Sequence, residues 1–190
     1  MAEKVAALLE QSALPAGGRV LAETLHLAVM PARAVVMLRI AARSQKSAGD
    51  IRIAGRPLPL AVNRWSGDDP VFCRIGSDAW LLVSAQHAAG DLVEAVRLGC
   101  KRRSCAATDI SDAQVTLAIE GPQATDLLSR GCGLDLTDAA FGQDACARTR
   151  FAQLPVVLRR VSHERFELMV DRSAVQWLFD WLQDAAIAVV

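Results

Sequence analysis

Val115, Leu117 and Ile119 alternate with Thr116, Ala118 and Glu120, a period of two that predicts a strand with one apolar face. Gly121-Pro122 stops that strand and opens a helix, because proline fits a first turn whose N–H groups have no partner anyway. Ala124, Leu127 and Leu128 fall on one helical face, and Gly131 is expected to end the helix in the left-handed C′ conformation. Ala34–Ile40 repeats the strand pattern of Ala113–Ile119 at an offset of 79, aligning Val36, Leu38 and Ile40 with Val115, Leu117 and Ile119. A later match runs at an offset of 86, pairing Ile75 with Val161, Trp80 with Phe166, Leu82 with Leu168, Leu92 with Leu178 and Val96 with Leu182.

Each half therefore reads as strand, helix, hairpin, helix, with Gly76-Ser77-Asp78 and Ser162-His163-Glu164 as the hairpin turns. Halves that expose one apolar sheet face each must cover it. The pattern predicts an α+β fold of two pseudo-twofold related halves with largely antiparallel sheets, about residues 25–100 and 108–190 of a single domain 21–190. Residues 1–20 read as an N-terminal arm, with a helix from Lys4 to about Gln11 and a break at Pro15-Ala16-Gly17-Gly18. Ala54–Asn63, with Pro57 and Pro59, cannot be a central strand and reads as a loop.

The C-terminal helix is expected to begin near Arg172-Ser173, capped by Asp171 or Ser173. Its buried stripe is Val175, Leu178, Phe179, Leu182, Ala186 and Val189. Trp181 falls on the stripe's edge, and Trp177 lies beyond it among Asp180 and Asp184. Two roles are open for these indoles: a partner surface, where large aromatics are enriched, or a fold over the sheet rim.

Composition narrows the function classes. With 190 residues, 52% of them hydrophobic, the chain can bury a full core. Basic and acidic residues balance at 21 each, which argues against a nucleic-acid binder; Lys101-Arg102-Arg103 reads as a solvated loop after a helix. No apolar run reaches the ~18 residues of a membrane span, and no basic segment precedes an apolar signal core, so a soluble cytoplasmic protein is expected. Cysteines 73, 100, 105, 132 and 146 are odd in number and form no Cys-x-x-Cys pair, which suits free thiols in a reducing compartment. His26, His87 and His163 are too scattered to complete a metal clip with Cys100 and Cys105.

Few polar groups point to catalysis. The chain has no tyrosine, no Gly-x-Ser-x-Gly and no Gly-x-Gly-x-x-Gly, so neither a serine nucleophile nor a dinucleotide site is indicated. Asp109, Ser111 and Asp112 read as a capped turn rather than a catalytic cluster. Asp135 and Asp138 read as cap and turn residues, Asp78 as an acceptor in its hairpin turn, and His163 as a solvated hairpin tip. No catalytic, cofactor-binding or metal residue is assigned; Trp177 and Trp181 are the candidate partner surface.

The run Asp109–Leu136, with Gly-Pro-x-Ala-x-x-Leu-Leu and Gly-Cys-x-Leu-Asp-Leu, resembles the sarcosine oxidase gamma-subunit family, relatives of the folate-binding aminomethyltransferase (glycine-cleavage T-protein) fold. Gly76–Val83, Cys146–Arg150 and Phe166–Val170 followed by Arg172-Ser173 look like the same family, so the resemblance covers about residues 25–190. It implies an aminomethyltransferase-like domain acting as a non-catalytic structural subunit of a heterotetrameric complex, beside alpha, beta and delta subunits. Those partners would carry FAD, FMN and NAD, oxidise sarcosine or another N-methyl amino acid, and pass the one-carbon unit to tetrahydrofolate. The aminomethyltransferase relatives use a carboxylate near the middle of the domain, after a glycine pair. The nearest segment here, Phe151–Leu158, holds no Asp or Glu, which sets a folate-binding enzyme second and an unrelated binding module third.

Overall fold

The computed structural model describes Leu14 and residues 16–22, 24–41, 48–101 and 103–189. The helix expected over Lys4 to Gln11 lies outside them. Along the chain run β1 (Gly17–Ala22), β2 (Leu25–Val29), β3 (Ala34–Ile40), β4 (Arg52–Ile53), β5 (Arg56–Pro57), β6 (Arg64–Ser66), β7 (Val71–Arg74) and β8 (Ala79–Ser84). Helix α1 (Ala89–Gly99), β9 (Cys105–Asp109), β10 (Gln114–Glu120), α2 (Ala124–Ser129), β11 (Cys146–Phe151), β12 (Leu154–Arg160), β13 (Arg165–Asp171) and α3 (Val175–Ala186) complete the order. Among the described residues no helix is long and apolar enough to cross a membrane.

The chain divides into two compact units. One comprises the residues up to Ala32, Asp112–Gln143 and the chain from Thr149 onward; the other comprises Arg33–Ser111 and Asp144–Arg148. The first is built on a six-stranded sheet of order β1-β2-β10-β13-β12-β11 and the second on a five-stranded sheet of order β6-β7-β8-β3-β9, with β4 and β5 as a separate pair. The pairings β1–β2, β2–β10, β10–β13, β12–β13, β3–β8, β3–β9, β6–β7 and β7–β8 are antiparallel, as expected.

The expected apolar strand faces are buried, but β10 is buried on both faces, since Thr116 and Ala118 of its expected polar face are also covered. Val36, Leu38 and Ile40 of β3 pack with Trp80, Leu82, Leu92 and Val96 in one core. Leu117, Ile119, Leu127, Leu128, Phe166 and Leu168 are fully buried in the other unit.

The two hairpins share a device that periodicity does not reveal. Arg74 donates from Nε to the Gly76 carbonyl (3.2 Å) and from Nη2 to Ser77 (2.7 Å), reaches the Leu60 carbonyl with Nη1, and lies 4.7 Å from the Trp80 ring centroid. Arg160, 86 residues later, donates from Nε to Ser162 (3.2 Å) and from Nη2 to His163 (2.7 Å), and lies 5.0 Å from the Phe166 centroid. In each case a planar fork serves the carbonyls of a turn that has no ladder partners for them. Matching backbone bonds, Ile75 N–H to Ala79 O and Val161 N–H to Arg165 O, close both turns.

Four local expectations are corrected. Residues 17–20, assigned to the arm, belong to β1 and pair with β2. Between β3 and the β7–β8 hairpin, the described residues hold a 3₁₀ turn (Ala48–Asp50) and β4 to β6; residues 42–47, which follow the first strand where a helix is expected, lie outside them. Helix α2 starts at Ala124, so Pro122 stands in the turn before it. Gly131 is not left-handed; its missing side chain makes room, because a Cβ there would lie 2.7 Å from Phe151 Cζ and 2.9 Å from Trp181 Cη2. Neither Asp171 nor Ser173 caps α3, which is entered through a 3₁₀ turn over Arg172–Ala174.

Candidate functional site

The most elaborate polar cluster contains a serine, a histidine and an aspartate, where the sequence showed no nucleophile motif. Ser84 ends β8 and is buried; its Oγ donates to Asp69 Oδ1 and lies 3.1 Å from His87 Nδ1. His87 Nδ1 is also 3.2 Å from Asp69 Oδ1. A relay for acyl transfer needs the serine and the carboxylate on opposite ring nitrogens, whereas here both meet Nδ1. The Ser84 oxygen also accepts the N–H groups of Gln86 (3.1 Å) and His87 (2.8 Å), and Asp69 Oδ2 accepts that of Ala85 (2.8 Å). The cluster caps the turn leading to α1.

Burial alone would raise the Asp69 pKa, but hydrogen bonds from Ser84, Ala85 N–H and His87 together hold it below the usual carboxylate range. A folded-state pKa below the unfolded one contributes stability above the unfolded value, and that stability is lost as pH falls through the folded value. Acid titration by fluorescence should therefore show the wild type losing stability below about pH 4, with a shallower slope in Asp69→Asn. Equal slopes would mean that Asp69 does not stabilise the turn.

The other predicted polar residues are also tied into structure. Ser111 donates its N–H (2.9 Å) and hydroxyl (2.5 Å) to Asp109 Oδ1 and accepts Val35 N–H (2.9 Å), as expected of a capped turn. Asp112 is exposed. Asp135 accepts Thr137 N–H at 3.0 Å, and these bonds lower its pKa. Asp78, expected to serve its own turn, instead meets Arg39 Nη1 at 3.0 Å. Asp138 is more than a turn residue: it pairs with Arg160 and lies 3.5 Å from the exposed His163.

Sequence reasoning missed one buried carboxylate, Glu167 on β13. It sits directly across the β12–β13 ladder from Arg159, whose Nη2 approaches to 2.6 Å. The segment 151–158 is a tight hairpin in which Ala152 and Gln153 both take positive φ; Phe151, Val156 and Leu158 are buried. All five cysteines are free thiols, and burial followed by the neighbouring Cys105 pushes Cys100 up to about 12. Among the described residues no group of three or more His, Cys, Asp or Glu is placed to hold a metal.

The two tryptophans of α3 part company. Trp181 is half-buried, meeting Phe151 edge to face at 5.2 Å and 85°, over the space left by Gly131. Trp177 stays 50% exposed, on the side the helical wheel assigned it. Val175, Leu178, Leu182 and Ala186 are the buried stripe, with Phe179 and Val189 at its margins. Val20 and Ile187 are also exposed, at 63% and 78%, and α3 packs beside β1.

A family model described as the GCVT N-terminal domain matches residues 65–188. The sarcosine oxidase gamma subunit of Corynebacterium sp. (strain U-96) is 28% identical over 133 residues, covering 69% of this chain and 64% of its own length, just under two thirds. That of Arthrobacter sp is 29% identical over 177 residues, covering 84% of this chain and 85% of the relative. The structure of heterotetrameric sarcosine oxidase from Corynebacterium sp. U-96 in complex with pyrrole 2-carboxylate contains a chain that matches with a TM-score of 0.74 and 25% identity, over 99% of this chain and 94% of that one. The glycine cleavage system aminomethyltransferase T of Bartonella henselae has the same fold at a TM-score of 0.58 and 15% identity, over 84% of this chain and 45% of that one.

Proposed function

The chain belongs to the GCVT N-terminal domain family, and on that premise we propose that it is the non-catalytic gamma subunit of a heterotetrameric sarcosine oxidase-like complex. The observation that carries the reading is the match along 99% of the chain to a chain of such a complex. In this reading alpha, beta and delta subunits hold FAD, FMN, NAD and tetrahydrofolate. They oxidise sarcosine or a related N-methyl amino acid, and this chain contributes a docking surface that includes Trp177 and Trp181. The structural role is supported by the polar clusters, since Ser84, Asp69, Ser111 and Arg160 all serve backbone groups. The Arg74 and Arg160 clamps, 86 residues apart, support descent from two similar halves.

The test is assembly. Co-expressed with flavoprotein subunits of such a complex, the chain should co-purify with them; alone, it should elute from gel filtration without flavin and oxidise no amine. Flavin retained by the lone chain would overturn the assignment. The aminomethyltransferase-like fold favours a second reading, a folate-binding enzyme. Micromolar tetrahydrofolate binding by calorimetry would select it.

A further inference from the structure

We infer that the solvent face of α3 receives a basic segment of a partner subunit, with an arginine or lysine cation held against the Trp177 indole and the carboxylates of Asp180 and Asp184. This inference rests on the docking reading above and adds the chemistry of what docks.

The face has a specific make-up. At about 100° per residue, Asp184 stands within about 20° of Trp177, with Asp180 about 60° and Ile187 about 80° away on the same side. Asp180, Asp184 and Ile187 are exposed, as is Trp177. From Ser173 to Val190 the sequence contains no lysine, arginine or histidine. Gln176 Nε2 holds the Asp180 carboxylate at 2.9 and 3.1 Å, which fixes its orientation without neutralising it. Among the described residues neither Asp180 nor Asp184 has an ion pair. The nearest exit of the helix is served by Arg130, whose Nη2 donates to the Ala188 carbonyl at 2.7 Å.

Two physical arguments select a cationic occupant. Asp184 lies in the last turn of α3, where the helix dipole is negative and a carboxylate is disfavoured. An apolar partner laid over Trp177 and Ile187 would strip water from both carboxylates with nothing to compensate them. A cation answers both, and its guanidinium or ammonium group also finds the indole face. The packing of Trp181 on Phe151 keeps the helix in place before any partner arrives.

The experiment uses the full chain and the co-expressed subunits of its complex, with affinity measured at about 50 and about 300 mM salt. The wild type should weaken roughly tenfold over that range. Asp180→Asn/Asp184→Asn should bind roughly tenfold more weakly at low salt and lose most of its salt dependence. Asp180→Lys/Asp184→Lys should fail to assemble while its circular dichroism stays unchanged, since both side chains are in solvent. Assembly of the lysine variant at wild-type affinity overturns this inference and leaves the docking reading standing. A wild-type chain that associates with none of those subunits overturns the docking reading, and this inference falls with it.

Discussion

Arg160→Met is expected to destabilise the chain by about 4 kcal/mol. Arg160 is only 1% exposed, and its Nη1 donates to the carbonyls of Leu136 (3.2 Å) and Phe141 (2.8 Å), both on buried residues. Methionine fills much of the volume but donates nothing, so both carbonyls, and those of Ser162 and His163, lose a partner. Each buried acceptor left unsatisfied costs about 1–3 kcal/mol, and removing one member of a buried charged network costs a similar total. Arg74→Met provides the comparison. Leu60 and Ser77, two of its acceptors, are exposed residues whose carbonyls water can reach, so the loss should be about 1 kcal/mol. Arg160→Lys should fall between, because a point cation cannot reproduce the fork. Urea denaturation read by tryptophan fluorescence separates the three variants. A loss at Arg160 as small as that expected at Arg74 would show that water replaces the guanidinium at both sites.

Those two arginines also mark where the sequence was legible. The internal offset of 86 located both hairpins and aligned Trp80 with Phe166, because alternating apolar positions report which face a strand buries. The arginines that complete the motif were missed, since a charged residue in a strand pattern reads as solvent-facing. Arg160 is nevertheless buried because loop residues Leu136 and Phe141 bring carbonyls to it.

Strand partnership was equally hidden. β2 precedes β3 in the chain yet pairs with β10, Leu27 facing Ile119, so the compact units do not follow the predicted halves as continuous stretches. Periodicity fixes a strand's faces but says nothing about its neighbour. At the candidate docking surface, the helical wheel correctly set Trp177 outside the buried stripe. It could not show that Trp181 packs on Phe151, because that contact depends on the space left by Gly131, far from α3 in the chain.

The same limit governs the glycines, where sequence alone suggests conformational freedom and the structure shows contact. Gly121→Ala should cost about 4 kcal/mol, although the change adds one methyl group. A Cβ at Gly121 would stand 1.9 Å from the Thr24 carbonyl oxygen and 3.1 Å from Leu25 Cα, both backbone atoms of the turn that leads into β2. They cannot swing aside as a side-chain tip could. Gly121 also has φ +137°, which adds about 1–3 kcal/mol of backbone strain for alanine, on top of about 1–3 kcal/mol for overpacking. Relief would require β2 to move from β10, breaking the register in which Glu120 faces His26. Gly133→Ala is the matched control, since nothing lies within 4 Å of its Cβ position and its φ is not positive; a change within about 0.5 kcal/mol is expected. Chemical denaturation of the two variants decides the matter. A Gly121→Ala loss below about 1 kcal/mol would mean that the β2 turn yields to the methyl group at little cost.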